Sequence, residues 1–347
     1  MKKELLLASA LVSTMGVASV AEAVTATMSG MHATGLKSTD TDAAADGTMS
    51  HATSSDFSVS LSETTDGGVG ISTSFMLANE SGALHTAGLT LTFTDGSKLD
   101  VLSAGNAAAT HDVSVPGSAG SPGVTIVTAN NAQTGLDFFN EATAIGVEWH
   151  SAADFMADGL KISASISADD GVVADGSVEL ESSWGLGATY VTSAGDTAVT
   201  IGAGIADSEA KDSGQDADGS NGWHIGLSAV TGDLTVAVGY ANGDKIIETP
   251  ETAVFDAAVS KVGVKYVAGD ITLSAGYTNA ESDDNTSSLT AASGDKDKQD
   301  ITELGIAYAV ASGITANIGW KDIDATDDGS TDTSGGSSWY VGTTVSF

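Results

Sequence analysis

Serine, histidine and aspartate, the side chains of a hydrolytic triad, occur along the whole chain, but no G-x-S-x-G elbow presents a serine as a nucleophile. The chain has no cysteine, which removes thiolate chemistry and disulfides. Its six histidines, at 32, 51, 85, 111, 150 and 224, show no metal-ligand spacing. Gly185 and Gly187, and Gly202 and Gly204, form two lone Gly-x-Gly pairs inside alternating segments, where a dinucleotide loop does not belong. Two acidic runs offer oxygen donors: Asp212, Asp216 and Asp218 with Gly219, and Asp322, Asp324, Asp327 and Asp328 with Gly329. Such donors suit weak Ca2+ binding, although neither run has the twelve-residue loop closed by glutamate. The expectation is a chain that is not an enzyme, with no catalytic residue, no resident metal and no cofactor beyond that weakly bound Ca2+.

The charges that carry information are those inside the alternating segments: Lys161, Lys261, Lys265, Lys321, Glu148, Glu303, His150 and His224. Overall, 46 acidic residues stand against 12 lysines and no arginine, a formal charge of −34. A phosphate backbone requires a cationic face, so nucleic-acid binding is excluded.

The elements that position these groups are β-strands. Past residue 24 an alternation of period two replaces the helical period. Leu234, Val236, Val238 and Tyr240 alternate with Thr, Ala and Gly, and Trp339, Val341, Thr343, Val345 and Phe347 alternate with Tyr340, Gly342, Thr344 and Ser346. Sixteen such runs are predicted: 25–32, 56–63, 69–77, 84–93, 98–103, 143–150, 160–168, 182–191, 197–206, 223–230, 234–242, 259–267, 271–278, 301–310, 314–322 and 339–347. Most have the length of a tilted strand crossing a bilayer. Tight turns such as Asp66-Gly67-Gly68, Thr231-Gly232-Asp233 and Ala268-Gly269-Asp270 alternate with long acidic stretches at 34–55, 104–142, 207–222, 243–258, 279–300 and 323–338. A soluble sandwich also alternates apolar and polar residues. Aromatics at strand ends, the regular alternation of connection length and the terminal Phe347 favour a closed transmembrane antiparallel up-and-down barrel instead. By parity, Lys261 and Lys265 face the lumen if Val262, Val264 and Tyr266 face lipid; Gly185, Gly187, Gly202 and Gly204 also point inward.

Upstream of the barrel, Lys2 and Lys3, the apolar stretch from Leu5 to about Ala18, and Ala21-Glu22-Ala23 read as a signal peptide over residues 1–23, leaving a barrel domain at 24–347.

The mature start VTATMSG (Val24 to Gly30), the segment SVSLSETTDGGVGISTSF at 58–75 and the terminal WYVGTTVSF resemble the general-diffusion porins of Gram-negative bacteria, nearest the alphaproteobacterial type. That resemblance implies a 16-stranded outer-membrane barrel, assembled as a homotrimer, with a long third loop folded into the pore as a constriction. The longest predicted gap, 104–142, follows the fifth run, as the resemblance requires. Asp112, Asp137 and Glu141 would be the acidic side of the constriction, and Lys161, Lys261 and Lys265 would stand in for a basic cluster normally rich in Arg. Glu148, His150, His224, Glu303 and Lys321 would line the pore, and Trp339, Val341, Thr343, Val345 and Phe347 would form the signal read by the barrel-assembly machinery. The remaining partners would be outer-membrane lipid, lipopolysaccharide, small hydrophilic solutes and cations. The expected function is a water-filled diffusion channel with a cation preference. A substrate-specific or gated channel of the same fold is the alternative, and a secreted β-rich adhesin the more distant one.

Overall fold

The computed structural model describes residues 24–41, 48–78, 88–101, 106–117, 134–141, 145–168, 178–212, 215–217, 219–246, 254–283, 296–326 and 333–347. The predicted signal peptide lies outside the described residues. Sixteen wall strands follow in chain order. The first eight are β1 (Thr25–Thr41), β2 (Thr48–Thr64), β3 (Gly70–Ala78), β4 (Leu89–Thr92), β5 (Lys98–Val101), β6 (Ile145–His150), β7 (Leu160–Ala168) and β8 (Val178–Ala194). The second eight are β9 (Thr197–Asp212), β10 (Asn221–Thr231), β11 (Leu234–Ile246), β12 (Val254–Ala268), β13 (Ile271–Asp283), β14 (Lys296–Ala311), β15 (Ile314–Thr326) and β16 (Thr333–Ser346). A three-residue strand, Gln215–Ala217, folds back on the end of β9.

Each strand pairs antiparallel with its chain neighbours, and β1 pairs with β16 from Met31↔Ser346 to Thr41↔Gly336, so the sheet closes on itself. Closure leaves no unpaired edge, which a lone sheet in hydrocarbon could not tolerate. At one end the connections are tight: Gly232 and Gly269 open two-residue turns with φ of 55° and 62°, a region costly for any residue with a Cβ.

Parity settles which face is which. Residues directly opposite across a strand pair share a face, and the bulky apolar set lies on the exposed side: Val262 is 44% and Leu304 48% exposed, while inward Ala237 and Ala241 are fully buried. In water each such exposed side chain would forgo on the order of 1 kcal/mol or more of burial; in a bilayer that face is at home. Lys161, Lys261, Lys265, Lys321, Glu148, Glu303, His150 and His224 all fall on the inner face, where they avoid the roughly 2–4 kcal/mol that a charge facing mid-membrane lipid can cost. Among the described residues no helix is long and apolar enough to cross a membrane; the crossing is made by strands.

Two expectations are corrected. Much of what reads as long loop is strand: β1 continues to Thr41 and β2 begins at Thr48, and β13, β14, β15 and β16 likewise run into the stretches at 279–300 and 323–338. Beyond the apolar band both faces of a strand are polar, so the alternation fades while the hydrogen-bond ladder continues. The described half of the second acidic run is therefore strand, since Asp322 pairs with Thr302 and Ser337, and Asp324 with Asp300 and Gly335. Likewise Asp212 and Asp216 lie in paired strand, which removes the described part of the first run as a Ca2+ loop. Asp218, Asp327 and Asp328 are outside the described residues.

The outer face changes character at β1 and β2. There His32 bonds Ser55 (2.7 Å) and Thr34 bonds His51 (2.8 Å), with Thr53 beside them, where other strands present Ile, Leu, Val, Trp or Tyr. Next to this patch the C-terminus is fastened: Gly30 N–H donates to Phe347 O (2.9 Å) and Phe347 N–H to Gly30 O (3.0 Å). The Phe347 ring lies over Gly30, where a Cβ would collide with it, and 6.4 Å from the Phe57 ring. Trp339, Val341, Thr343, Val345 and Phe347 share the outer face, whereas Tyr340 points inward and is fully buried against the glycine positions Gly35 and Gly342.

Candidate functional site in the barrel lumen

The connection between β5 and β6 carries two described pieces, 106–117 and 134–141, and both lie against the inner wall. Glycines on β8 to β13 create the room. A Cβ at Gly185 would strike Asn106, at Gly187 Ala107 and His111, at Gly204 Ala108, at Gly239 Leu136, and at Gly263 Pro116. The Gly-x-Gly pairs thus let another backbone approach the wall closely.

Hydrogen bonds fix the first piece. Ala107 N–H donates to Ser165 Oγ (2.8 Å), Thr110 Oγ1 to Glu148 Oε1 (2.6 Å), and His224 Nε2–H to Ala108 O (2.8 Å). His111, in the short 3-10 turn Ala109–His111, bonds Thr189 through Nδ1 (2.7 Å) and Ser163 through Nε2 (2.8 Å). Burial first, then the nearby His150, His224 and Lys161, hold its pKa down to about 4, so the ring is neutral at pH 7.

The second piece is fixed by apolar contact. Leu136, Phe138 and Phe139 bury themselves against inward-facing Ala206, Ala241, Ala257, Val259 and Ala280. Phe138 and Phe139 meet edge to face at 5.4 Å. The sequence reading expects a polar inner wall and misses this apolar stripe; the aromatic pair within the acidic Asp137-Phe138-Phe139-Asn140-Glu141 was the available signal.

Of the candidate constriction acids, Asp112 and Asp137 lie on this chain segment, near enough that Asp137 raises the Asp112 pKa. Burial is the larger cause of that rise, and His224 and Lys261 act against it. Glu141, on the same segment, is ion-paired with Lys245, which the sequence reading did not single out. Lys161 is on β7, whereas Lys261 and Lys265 are on β12, with Lys261 the one that acts on Asp112. Lys321 and Glu303 pair across β15 and β14 at 3.6 Å, with Gly117 against Glu303. His150, expected only to line the pore, sits with Asp100 and Glu148 in a group whose donor atoms lie within 4.8 Å of one another.

A closed barrel with charge inside, an apolar belt outside and chain folded along its inner wall narrows the question of family, and the family model of the Gram-negative porin matches residues 8–346. The chain belongs to the Gram-negative porin family. It is accordingly an outer-membrane protein of a family of channels. A search of curated proteins gives no match. Among solved structures, the anion-selective porin from Comamonas acidovorans aligns with a TM-score of 0.65 at 12% identity, covering 93% of this chain and 100% of that one. OmpT of Vibrio cholerae, an outer membrane protein in its trimer form, aligns at 0.62 and 17% identity over 94% of this chain and 100% of that one. OprB of Pseudomonas putida aligns at 0.62 and 9% identity over 93% and 94%. At these identities the likeness is one of fold.

Proposed function

We propose that this porin forms a water-filled channel for passive diffusion of small hydrophilic solutes and ions, with a preference for cations. The observation that carries the reading is the charge balance: 12 lysines against 46 carboxylates, with Lys245, Lys296, Lys298 and Lys321 each paired to an acid. An acidic excess within and around a lumen raises the local cation concentration and repels anions. We place the narrowest passage where Asp112 and Asp137 face Lys261, a weaker transverse field than an arginine cluster would give. The reversal potential across a salt gradient in planar bilayers tests this: a cation-selective sign is expected, and an anion-selective sign contradicts it. Liposome swelling with sugars of graded size separates simple sieving from substrate-specific or gated transport.

The same reading includes residues 1–23 as the export signal, the Trp339 to Phe347 outer-face pattern as the assembly signal, lipid and lipopolysaccharide as surroundings, and an alphaproteobacterial affinity. It also includes a homotrimer. The polar outer patch of His32, Thr34, His51, Thr53 and Ser55 is poorly matched to lipid and suits contact with a second copy. Unboiled gel mobility of Thr53→Trp against the wild type tests the contact. A shift to the single-chain position is expected, and unchanged mobility contradicts it.

A further inference from the structure

We infer that Asp100, Glu148 and His150 form a binding site for one divalent transition-metal ion on the lumen wall at the root of the inner loop. Asp100 on β5 and Glu148 on β6 are directly opposite in the ladder and share the inner face. Two carboxylates so placed repel each other, and Glu148 is only 4% exposed, so water does little to screen it. His150 lies on the same face, its Nε2 2.8 Å from Asp100 Oδ2 and its Nδ1 3.8 Å from Glu148 Oε1. One donor atom from each of the three falls within 4.8 Å of the others.

Groups outside the trio orient every ligand. Thr90 Oγ1 donates to Asp100, Thr110 Oγ1 donates to Glu148 Oε1 at 2.6 Å, and Ser163 Oγ meets His150 Nδ1 at 2.9 Å. Supports of this kind set the tautomer and aim of metal-ligating side chains. Ser163 Oγ also meets His111 Nε2 (2.8 Å), and His111 Nδ1 meets Thr189 Oγ1 (2.7 Å). Hydroxyls donate or accept by rotating. In one arrangement His150 Nε2–H donates to Asp100. In the other, the proton sits on Nδ1 and is donated to Ser163, Ser163 donates to His111, and His111 donates to Thr189. The second arrangement turns the Nε2 lone pair toward Asp100, as a cation held between the ring and that carboxylate requires. One imidazole with two carboxylates, without thiolate, suits Zn2+, Mn2+ or Ni2+; the imidazole discriminates against Ca2+ and Mg2+.

The inference goes beyond the channel reading and is measured independently of ion selectivity. The full chain, stripped with chelator and folded in detergent, is titrated with ZnCl2 in a calorimeter. One Zn2+ per chain is expected, undisplaced by excess Ca2+, with affinity falling about tenfold or more in Glu148→Gln, His150→Asn and Ser163→Ala. The variant His32→Asn/His51→Asn is expected to bind as the wild type does. Unboiled gel mobility reports folding of each variant, and Asp100→Asn decides if another fails to fold. Unchanged Zn2+ affinity in the folded site variants, loss of binding in the His32/His51 variant, or displacement by Ca2+ would overturn the assignment.

Discussion

Phe139 and Lys245 both hold the inner chain segment to the wall, and magnitudes separate their contributions. Phe139 is fully buried, and truncating such a ring costs about 3–5 kcal/mol. The Lys245–Glu141 pair keeps 26% and 23% of its side-chain surfaces exposed, so water screens it to about 1 kcal/mol or less. Proteolysis of the segment by a nonspecific protease is therefore expected to accelerate roughly a hundredfold to a few thousandfold in Phe139→Ala and less than about tenfold in Lys245→Ala. Equal acceleration would show that charge, not burial, fastens it. His111 adds a pH dependence. Its folded pKa of about 4 lies below the ordinary value of 6.5, so the released segment takes up a proton first. Docking is strongest above about pH 6.5, weakens as pH falls toward 4 and levels off below. Protection from the protease should follow that curve, and His111→Gln should flatten it.

At the level of strands, the alternation locates all sixteen because each crosses an environment that is apolar on one side only; Leu234 to Tyr240 and Trp339 to Phe347 are clear instances. Where β1 continues past that environment, as at Thr39 and Asp40, both faces are polar and the signal vanishes although the ladder persists. Inner-wall contacts were legible only in part. Parity places Glu148, His150 and His224 inside, but their partners are set by closure: His224 meets Ala108, 116 positions away, and Glu141 meets Lys245, 104 away. Asp100 escaped notice because its importance lies in register with Glu148 across β5 and β6. The closing strand yields a prediction of its own. Deleting Phe347 removes two backbone hydrogen bonds to Gly30 and the ring above it, so the heat-modifiable folded band is expected to diminish. Gly30→Val, which displaces the ring, should act in the same direction. An undiminished band in both would deny the terminal residue its part in closure.

For the whole molecule, the account rests on one inversion: the apolar surface is outside, and the charged side chains with the chain folded among them are inside. Since the protein has no cysteine, single cysteines can be introduced without background. Lys261 and Val262 are adjacent on β12 and point to opposite faces; Glu303 and Leu304 do the same on β14. In planar bilayers, a charged, water-soluble thiol reagent should change the single-channel current of Lys261→Cys and Glu303→Cys and leave that of Val262→Cys and Leu304→Cys unaltered. Modification of Val262→Cys and Leu304→Cys with the other two untouched would contradict the account.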